Sequence, residues 1–304
     1  MRDGLLLIDK SDGPTSHDVV AACRKILRQK KIGHCGTLDP AATGLLLLTV
    51  GKATRLTRFL IRAGKVYAGV ARFGVVTDTW DTTGVVEEEK PVDGLDLDQV
   101  RRVMESMHGD GMQMPPRYSA KKVGGKKHYE RARAGEPVPD DKKPVTIYEL
   151  APTVDSWDPH DGLPFVLSCT SGTYARSVVH EIGQELGCGG ALESLRRTHI
   201  GKLSLDDAIT VDELRRRIDG DEEIGAGWIP FDEIPLPFGV VAADAQQERR
   251  IAHGQSVLFR DLDGREGDWM KIINRRHELI AVGSVIERIG TGNVGVVQPK
   301  VVFQ

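Results

Sequence analysis

The apolar run at residues 45–50, Leu-Leu-Leu-Leu-Thr-Val, restricts the fold of this chain more than any other feature. Six residues of this kind have the length of one buried strand, whereas about 20 are needed to cross a bilayer. Residues 1–8 also lack the order of basic region, long apolar region and cleavage site that marks a signal peptide. We therefore expect a cytoplasmic protein, built around buried strands, that does not contact a membrane.

The elements predicted around this strand mix helices and strands in no regular order. Thr15 and Asp18 resemble a capping box, and apolar residues at helical spacing follow, which predicts a helix over 16–29. The same patterns predict strands at 4–9, 65–75, 144–150 and 163–170, helices at 52–62, 97–108, 174–187 and 211–218, and a short helix and loop at 189–198. Because strands and helices do not alternate strictly, we expect an α+β fold rather than a doubly wound sheet.

Two changes in composition divide the chain. Pro115-Pro116 and Gly124-Gly125, with dense positive charge around them, indicate an exposed insertion at about 110–143. An acidic stretch with glycines at 219–227 precedes a β-rich region that contains one helix near 244–253. We therefore expect a large domain at 1–230 and a small β-rich domain at 235–304, a division that suits 304 residues.

The charged residues are segregated, although the formal net charge is only −3. One basic cluster lies within residues 24–31 and a second within 117–133, whereas acidic residues gather at 87–89 and 219–223. Segregated basic patches favour local binding of phosphate groups. The alternative is that each run is only a solvated face.

The four cysteines are Cys23, Cys35, Cys169 and Cys188. They contain no CxxC pair, and their spacing matches no zinc pattern. His34 and Cys35 are adjacent, which suits chelation of one metal poorly. We therefore expect reduced, unpaired thiols, as is usual in the cytosol, and neither a metal nor a cofactor.

Asp39 lies in a loop at residues 33–44 that is too rich in glycine for a helix. Pro40 follows it and stiffens the turn, since proline biases the preceding residue toward an extended conformation. A carboxylate held rigidly on a loop suits nucleophilic catalysis, because a nucleophile must be aimed. The alternative is that Asp39 only caps a turn.

Three other residues favour the catalytic interpretation of Asp39. His34, in the same loop, has a ring that can contact a phosphate or a base. Tyr67 lies on a predicted strand, where an aromatic face can stack on a base. Arg176 opens a predicted helix and can pair with a carboxylate, which would keep that carboxylate ionised. Structural roles for all three are the alternative, and their spacing alone does not bring them together.

The residues Gly-His-Cys-Gly-Thr-Leu-Asp-Pro-Ala-Ala-Thr-Gly at 33–44 resemble the signature loop of the TruB family of tRNA pseudouridine synthases, G-H-x-G-x-L-D-P-x-A-x-G. Six further blocks resemble that family in order. They are Asp9-Lys10 with Gly13 and Thr15-Ser16, Lys65-Val66-Tyr67, Thr-Asp-Thr-Trp-Asp at 77–81, Tyr-Ser-Ala-Lys at 118–121 with Gly-Lys-Lys-His-Tyr at 125–129, Cys-Thr-Ser-Gly-Thr-Tyr-Ala-Arg at 169–176, and Leu-Arg-Arg-Thr at 195–198. The resemblance covers residues 4 to about 210.

This resemblance implies a role for each matching residue. Asp39 corresponds to the catalytic aspartate, Tyr67 to the tyrosine that stacks on the flipped uracil, and Arg176 to the arginine paired with that aspartate. The residues implied to contact or enclose the substrate are His34, Lys10, Tyr174, Leu195, Asp81 and Lys121. Two positions depart from the family pattern, namely Ser11 in place of proline and Ala175 in place of a larger residue.

The resemblance further implies a mixed-sheet pseudouridine synthase domain, an insertion that grips RNA and a C-terminal PUA-like RNA-binding domain. The expected reaction is isomerisation of uridine to pseudouridine at position 55 of the tRNA T-loop, by a monomer that binds the T-arm without a cofactor. The alternatives are a guide-RNA-dependent subunit of the same superfamily and a non-catalytic tRNA-binding or folding chaperone. A base-excising glycosidase would need a second carboxylate aimed at water, and the sequence offers no clear candidate.

Overall fold

The structure, a computed structural model, describes residues 2–116, 118, 142–290 and 292–303, and the backbone of 122–123 and 126–127. The strands are β1 (Gly4–Lys10), β2 (Ile32–His34), β3 (Thr43–Val50), β4 (Lys65–Phe73), β5 (Val75–Thr77), β6 (Val86–Glu89), β7 (Gly109–Gln113), β8 (Lys122–Val123), β9 (Lys126–Lys127), β10 (Lys143–Pro152), β11 (Leu163–Cys169), β12 (Gly190–Ile200), β13 (Leu203–Ser204), β14 (Trp228–Pro230), β15 (Gly239–Ala242), β16 (Val257–Phe259), β17 (Trp269–Ile273), β18 (Leu279–Ile289) and β19 (Val294–Val302). The α-helices are α1 (Ser16–Ile26), α2 (Thr57–Leu60), α3 (Leu97–Ser106), α4 (Ala175–Glu185), α5 (Val211–Asp219) and α6 (Ala245–Ala252). Single 3-10 turns lie at Gly51–Leu56, Leu205–Asp207, Gly225–Gly227 and Phe231–Glu233.

The main sheet is mixed. Its strands follow the order β14-β1-β3-β12-β4-β11-β10-β7, with β2 beside β3 and β13 beside β12. Strands β12 and β3 run parallel, and the other neighbouring pairs of this sheet are antiparallel. The α+β fold with a mixed sheet is therefore confirmed.

The apolar run at residues 45–50 is buried on both faces of this sheet. Leu46 and Leu48 belong to a hydrophobic cluster that includes residues of α1, α3, α4 and α5. Leu45 and Leu47 belong to a second cluster on the opposite face, because successive side chains of a strand point to opposite sides. Burial on both faces explains why this strand is continuously apolar rather than alternating.

The prediction for residues 189–198 was wrong. This segment is not a short helix and loop but part of β12, which lies between β3 and β4 in the main sheet. Its pairing with β4 shifts register between Leu192 and Ser194 and again between Arg197 and His199. A bulge inserts an extra residue, so the strand loses the alternating pattern that identifies strands in a sequence.

Most other predicted elements are confirmed, with ends displaced by a few residues. The capping box at Thr15 and Asp18 is present and starts α1. The single helix expected at 52–62 is a 3-10 turn followed by α2. Strands β7 and β10 pair with each other, so the insertion begins and returns at neighbouring strands of the main sheet.

The C-terminal strands form a second sheet in the order β15-β17-β18-β19-β16. Leu279, Val282, Val301 and Phe303 of this part pack in the same cluster as Leu45 and Leu47 of β3. The main sheet ends at β14, which pairs with β1. The division into domains at 1–230 and 235–304 stays a prediction, since the two sheets share this hydrophobic cluster.

The four cysteines are free and buried. Burial raises the pKa of Cys23 and of Cys35 to about 12, which makes these thiols unreactive near neutral pH. Within the described part of the chain, no helix is long and apolar enough to cross a membrane.

Candidate active site

The loop that carries Asp39 connects β2 to β3, and buried polar groups of neighbouring elements hold it in place. The Ser16 hydroxyl of α1 donates to the Leu38 carbonyl (3.1 Å) and accepts from the Leu38 amide (2.9 Å). The ammonium group of Lys10, which is fully buried, donates to the carbonyls of Pro40 (2.8 Å) and Ala42 (2.6 Å). The loop is therefore anchored on both sides of Asp39.

The carboxylate of Asp39 meets the guanidinium of Arg176 at the start of α4. The Nη2–Oδ2 distance is 2.8 Å, and the side chain of Arg176 is only 7% exposed whereas that of Asp39 is 53% exposed. The same guanidinium donates to the carbonyls of Thr79 and Tyr118, each at 3.0 Å. The partners of Arg176 hold its planar group in one orientation, so the exposed carboxylate has a rigid cationic support.

Asp81 lies behind Arg176 rather than in the cavity beside it. Its Oδ2 is 3.5 Å from Nη1 of Arg176, and its Oδ1 accepts from the hydroxyls of Thr79 (2.9 Å) and Thr83 (2.5 Å). The intervening residue, Trp80, has φ of 63° and stacks on His180 of α4 at 4.2 Å. The loop at 77–83 thus contacts Nη1 of Arg176, whereas Asp39 contacts Nη2.

A cavity of about 350 Å³ opens next to Asp39, a size within the range of small-ligand sites. Its lining residues include Asp39, Tyr67, Tyr174, Arg176 and Leu195. Tyr67 is 9% exposed, and burial raises the pKa of its phenol, against the opposing effect of the nearby Arg197 cation. The Tyr67 ring is therefore a neutral phenol at neutral pH.

The remaining predicted residues are divided between the cavity wall and its surroundings. Tyr174 is held through its backbone, because its amide donates to the Gln113 side chain at 2.8 Å. His34 does not line the cavity; its ring packs edge-to-face on His17 at 5.2 Å, and burial, with the neighbouring His17 and Arg197, lowers its pKa. Lys121 lies outside the described residues.

Lys10 and Asp81 do not line the cavity, and their expected contact with the substrate stays a prediction. Lys10 instead donates to carbonyls of the Asp39 loop, and Asp81 contacts Arg176 and threonine hydroxyls. The motifs locate these residues near the site, but spacing along the chain does not reveal which side of a loop they support.

Two cavity residues, Lys65 and Arg197, were not assigned a role from the sequence. Arg197 is 1% exposed, and it lies opposite Tyr67 in the antiparallel pairing of β12 with β4. It donates to the carbonyls of Leu45 (2.8 Å) and Gly36 (3.1 Å). Lys65 is 4% exposed and donates to the carbonyls of Ile61 (2.6 Å) and Ala63 (2.5 Å). The sequence signal that could have identified them is their position in the Lys-Val-Tyr and Leu-Arg-Arg blocks that resemble the TruB family.

Comparison with known proteins identifies the family of the chain. The model described as TruB family pseudouridylate synthase (N terminal domain) matches residues 24–175, and that described as tRNA pseudouridylate synthase B C-terminal domain matches residues 176–232. Similar curated proteins include tRNA pseudouridine synthase B of Solibacter usitatus, 36% identical over 93% of this chain and 96% of that protein. The protein of the same name from Thermobifida fusca is 37% identical over 100% of this chain and 99% of its own length.

Solved structures agree with this result. The chain is similar to one in the structure of an H/ACA RNP bound to a substrate RNA containing 2′-deoxyuridine, with a TM-score of 0.73, 25% identity, and coverage of 99% of this chain and 85% of that one. A Cbf5-Nop10-Gar1 complex also contains a similar chain, at a TM-score of 0.73 and 26% identity, over 99% of this chain and 85% of that one. The chain therefore belongs to the TruB family of pseudouridylate synthases.

Proposed function

We propose that this protein isomerises uridine to pseudouridine in tRNA, at position 55 of the T-loop. The curated relatives named above are tRNA pseudouridine synthases, and they resemble the chain over nearly its whole length. The observation that carries the proposal is the 2.8 Å pair of Asp39 and Arg176 at a cavity that Tyr67 also lines. This arrangement suits a base that must be enclosed while its bond to ribose is exchanged.

The substrate base must leave its stack to reach this cavity. Flipping a base costs a few kcal/mol, and contacts with the RNA backbone offset that cost. Lys25, Arg28, Lys30 and Lys31 are exposed near the end of α1, on the element whose Ser16 also holds the Asp39 loop. We assign this basic cluster to the phosphates of the T-arm.

Asp39, Tyr67 and Arg176 divide the chemistry among them. The exposed carboxylate of Asp39 is the nucleophile, and Arg176 fixes its direction. The buried ring of Tyr67 stacks on the flipped uracil, and Leu195 closes the cavity from another side. Because Tyr67 is a neutral phenol in the unbound protein, Asp39 is the better acceptor for the proton that leaves C5.

Tyr174 forms part of the cavity wall. Positions outside the cavity serve the site indirectly or contact other parts of the RNA, and we assign His34 to the nucleotides that flank the flipped base. Lys10 and Asp81 position Asp39 and Arg176, respectively. The insertion that contains Lys121 and the C-terminal β-rich part, as a PUA-like domain, are assigned to RNA binding. We further propose that the protein acts as a monomer in the cytoplasm.

Purified protein and an unmodified T-arm hairpin provide the test. We expect pseudouridine at position 55 with no guide RNA or partner protein present, and no pseudouridine with Asp39→Asn, although that variant still binds the hairpin. A requirement for a guide RNA would instead support the guide-dependent alternative. RNA binding without turnover by the wild type would support a chaperone.

A further inference from the structure

Two buried cations share the cavity wall without an acidic partner. Lys65 is 4% exposed and Arg197 is 1% exposed, and both line the cavity beside Asp39. Among the described residues, no Asp or Glu forms an ion pair with either of them. The hydrogen bonds of Lys65 go to neutral backbone carbonyls, and those of Arg197 go to such carbonyls and to the neutral Tyr67 hydroxyl.

The cavity therefore carries an excess of positive charge. Its described lining contains three cations, Lys65, Arg176 and Arg197, and one carboxylate, that of Asp39, which already pairs with Arg176. A buried charge without a counter-charge is unfavourable. A substrate that becomes negatively charged during the reaction would supply the missing counter-charge at the step in which that charge forms.

Lys65 has a donor left for such a substrate. An ammonium group carries three N–H donors, and within the described chain two of them go to the carbonyls of Ile61 and Ala63. Lys65 precedes Tyr67 by two residues on β4, so both side chains point to the same face of the sheet. A base stacked on Tyr67 therefore lies on the side of the sheet from which Lys65 projects.

We propose that Lys65, with Arg197 beside it, stabilises the negative charge on the uracil while the base is detached from ribose. This inference rests on the proposed function. The N1–C1′ bond breaks, its electron pair stays on the base, and C1′ bonds to a carboxylate oxygen of Asp39. C5 then bonds to C1′ as the C1′–O bond breaks and its electrons return to Asp39. The freed carboxylate of Asp39 accepts the C5 proton, and N1 gains a proton from water.

The depth of the two cations favours the base rather than a phosphate as their partner. A phosphate of the RNA backbone would stay outside the cavity when the base enters it. Lys65 and Arg197 are almost inaccessible from the surface. Charge that develops on O2 or O4 of the uracil, in contrast, arises inside the cavity, where donors are most effective.

The test compares Lys65→Met with the control Lys90→Met. Lys90 is a half-buried lysine that pairs with Glu88 at 3.3 Å and does not line the cavity. On a T-arm hairpin we expect Lys65→Met to lower kcat on the order of 10²-fold, with KM and hairpin affinity near those of wild type. Lys90→Met should keep the wild-type kcat, and Lys65→Arg should recover part of the kcat that Lys65→Met loses.

A hairpin with 5-fluorouridine at the target position separates charge stabilisation from a structural role. Fluorine withdraws electrons and stabilises the detached base, so loss of the intact nucleoside in a single turnover should depend less on Lys65 than it does with uridine. An equal loss of rate on both substrates, a wild-type kcat in Lys65→Met, or a change in KM alone would each overturn the inference. Absence of pseudouridine with the wild type would overturn the proposed function instead.

Discussion

The buried ammonium of Lys65 should make the stability of this protein depend on pH in a defined way. Burial, then the nearby Arg197 cation, lowers the pKa of Lys65 from 10.5 to about 8. The unfolded chain therefore binds this proton more tightly than the folded one, and stability rises as the pH rises through the interval between 8 and 10.5. Below pH 8 the full cost of the buried charge is present.

The magnitude follows from the two pKa values. The charge of Lys65 costs roughly 3 kcal/mol at pH 7 and roughly 2 kcal/mol at pH 9. The groups that influence Lys65 do not titrate between these pH values, since burial raises the pKa of Cys35 to about 12 and that of Cys169 to about 11, and Arg197 stays charged. The wild type should therefore gain on the order of 1 kcal/mol relative to Lys65→Met between pH 7 and pH 9.

Equilibrium unfolding in urea, performed at several pH values for both proteins, measures this difference. The hydrogen bonds that Lys65→Met loses shift the two curves by an amount that does not depend on pH, so only the change with pH is informative. Lys90→Met serves as the control for loss of a lysine elsewhere. If the free energies of unfolding of wild type and Lys65→Met change in parallel from pH 7 to pH 9, the inferred pKa of Lys65 is wrong.

Three further substitutions test other parts of the site. Tyr67→Phe keeps the stacking face but loses the hydroxyl, so hairpin affinity should stay near wild type while turnover falls strongly; an unchanged turnover would limit Tyr67 to stacking. Arg176→Lys keeps the charge but loses the planar fork, and we expect a fall in kcat of roughly 10-fold or more with normal folding, whereas an unchanged rate would argue against the pair with Asp39. Gly44 has φ of +95°, and a Cβ there would lie 2.4 Å from the Arg197 carbonyl, so Gly44→Ala should lower the free energy of unfolding by about 2 kcal/mol or more, and a wild-type urea midpoint would contradict this.

Sequence patterns predicted the elements whose signals are local. The capping box at Thr15 marks α1, and the continuous apolar run at 45–50 marks a strand buried on both faces. Strand β12 escaped prediction because Leu192 and Leu195 are spaced like helix residues, and the bulge that makes this spacing compatible with a strand is a property of its pairing with β4. Gly183 of α4 packs so closely against Gly189 and Gly190 that no side chain fits on it. This close packing explains why glycines occur at the start of β12, where the sequence pattern suggested a loop.

The site was predicted unevenly for a related reason. Motif resemblance located Asp39, Tyr67 and Arg176, and all three line one cavity. It could not distinguish residues that line the cavity from those that support it, since Lys10 and Asp81 act through buried contacts. Burial also determines the importance of Lys65 and Arg197, and burial depends on the packing of strands that are distant in the sequence.

The unequal exposure of Asp39 and Arg176 indicates when their ion pair matters most. In the free protein Asp39 is half exposed, and water weakens the attraction of an exposed pair, which contributes little to stability. A nucleotide that enters the cavity would cover Asp39 and exclude water, so the same 2.8 Å contact would act in a lower effective dielectric. The fixed partners of Arg176 mean that its guanidinium need not move at that moment. A substitution that changes the position or orientation of the guanidinium group of Arg176 should therefore affect turnover far more than the stability of the free protein.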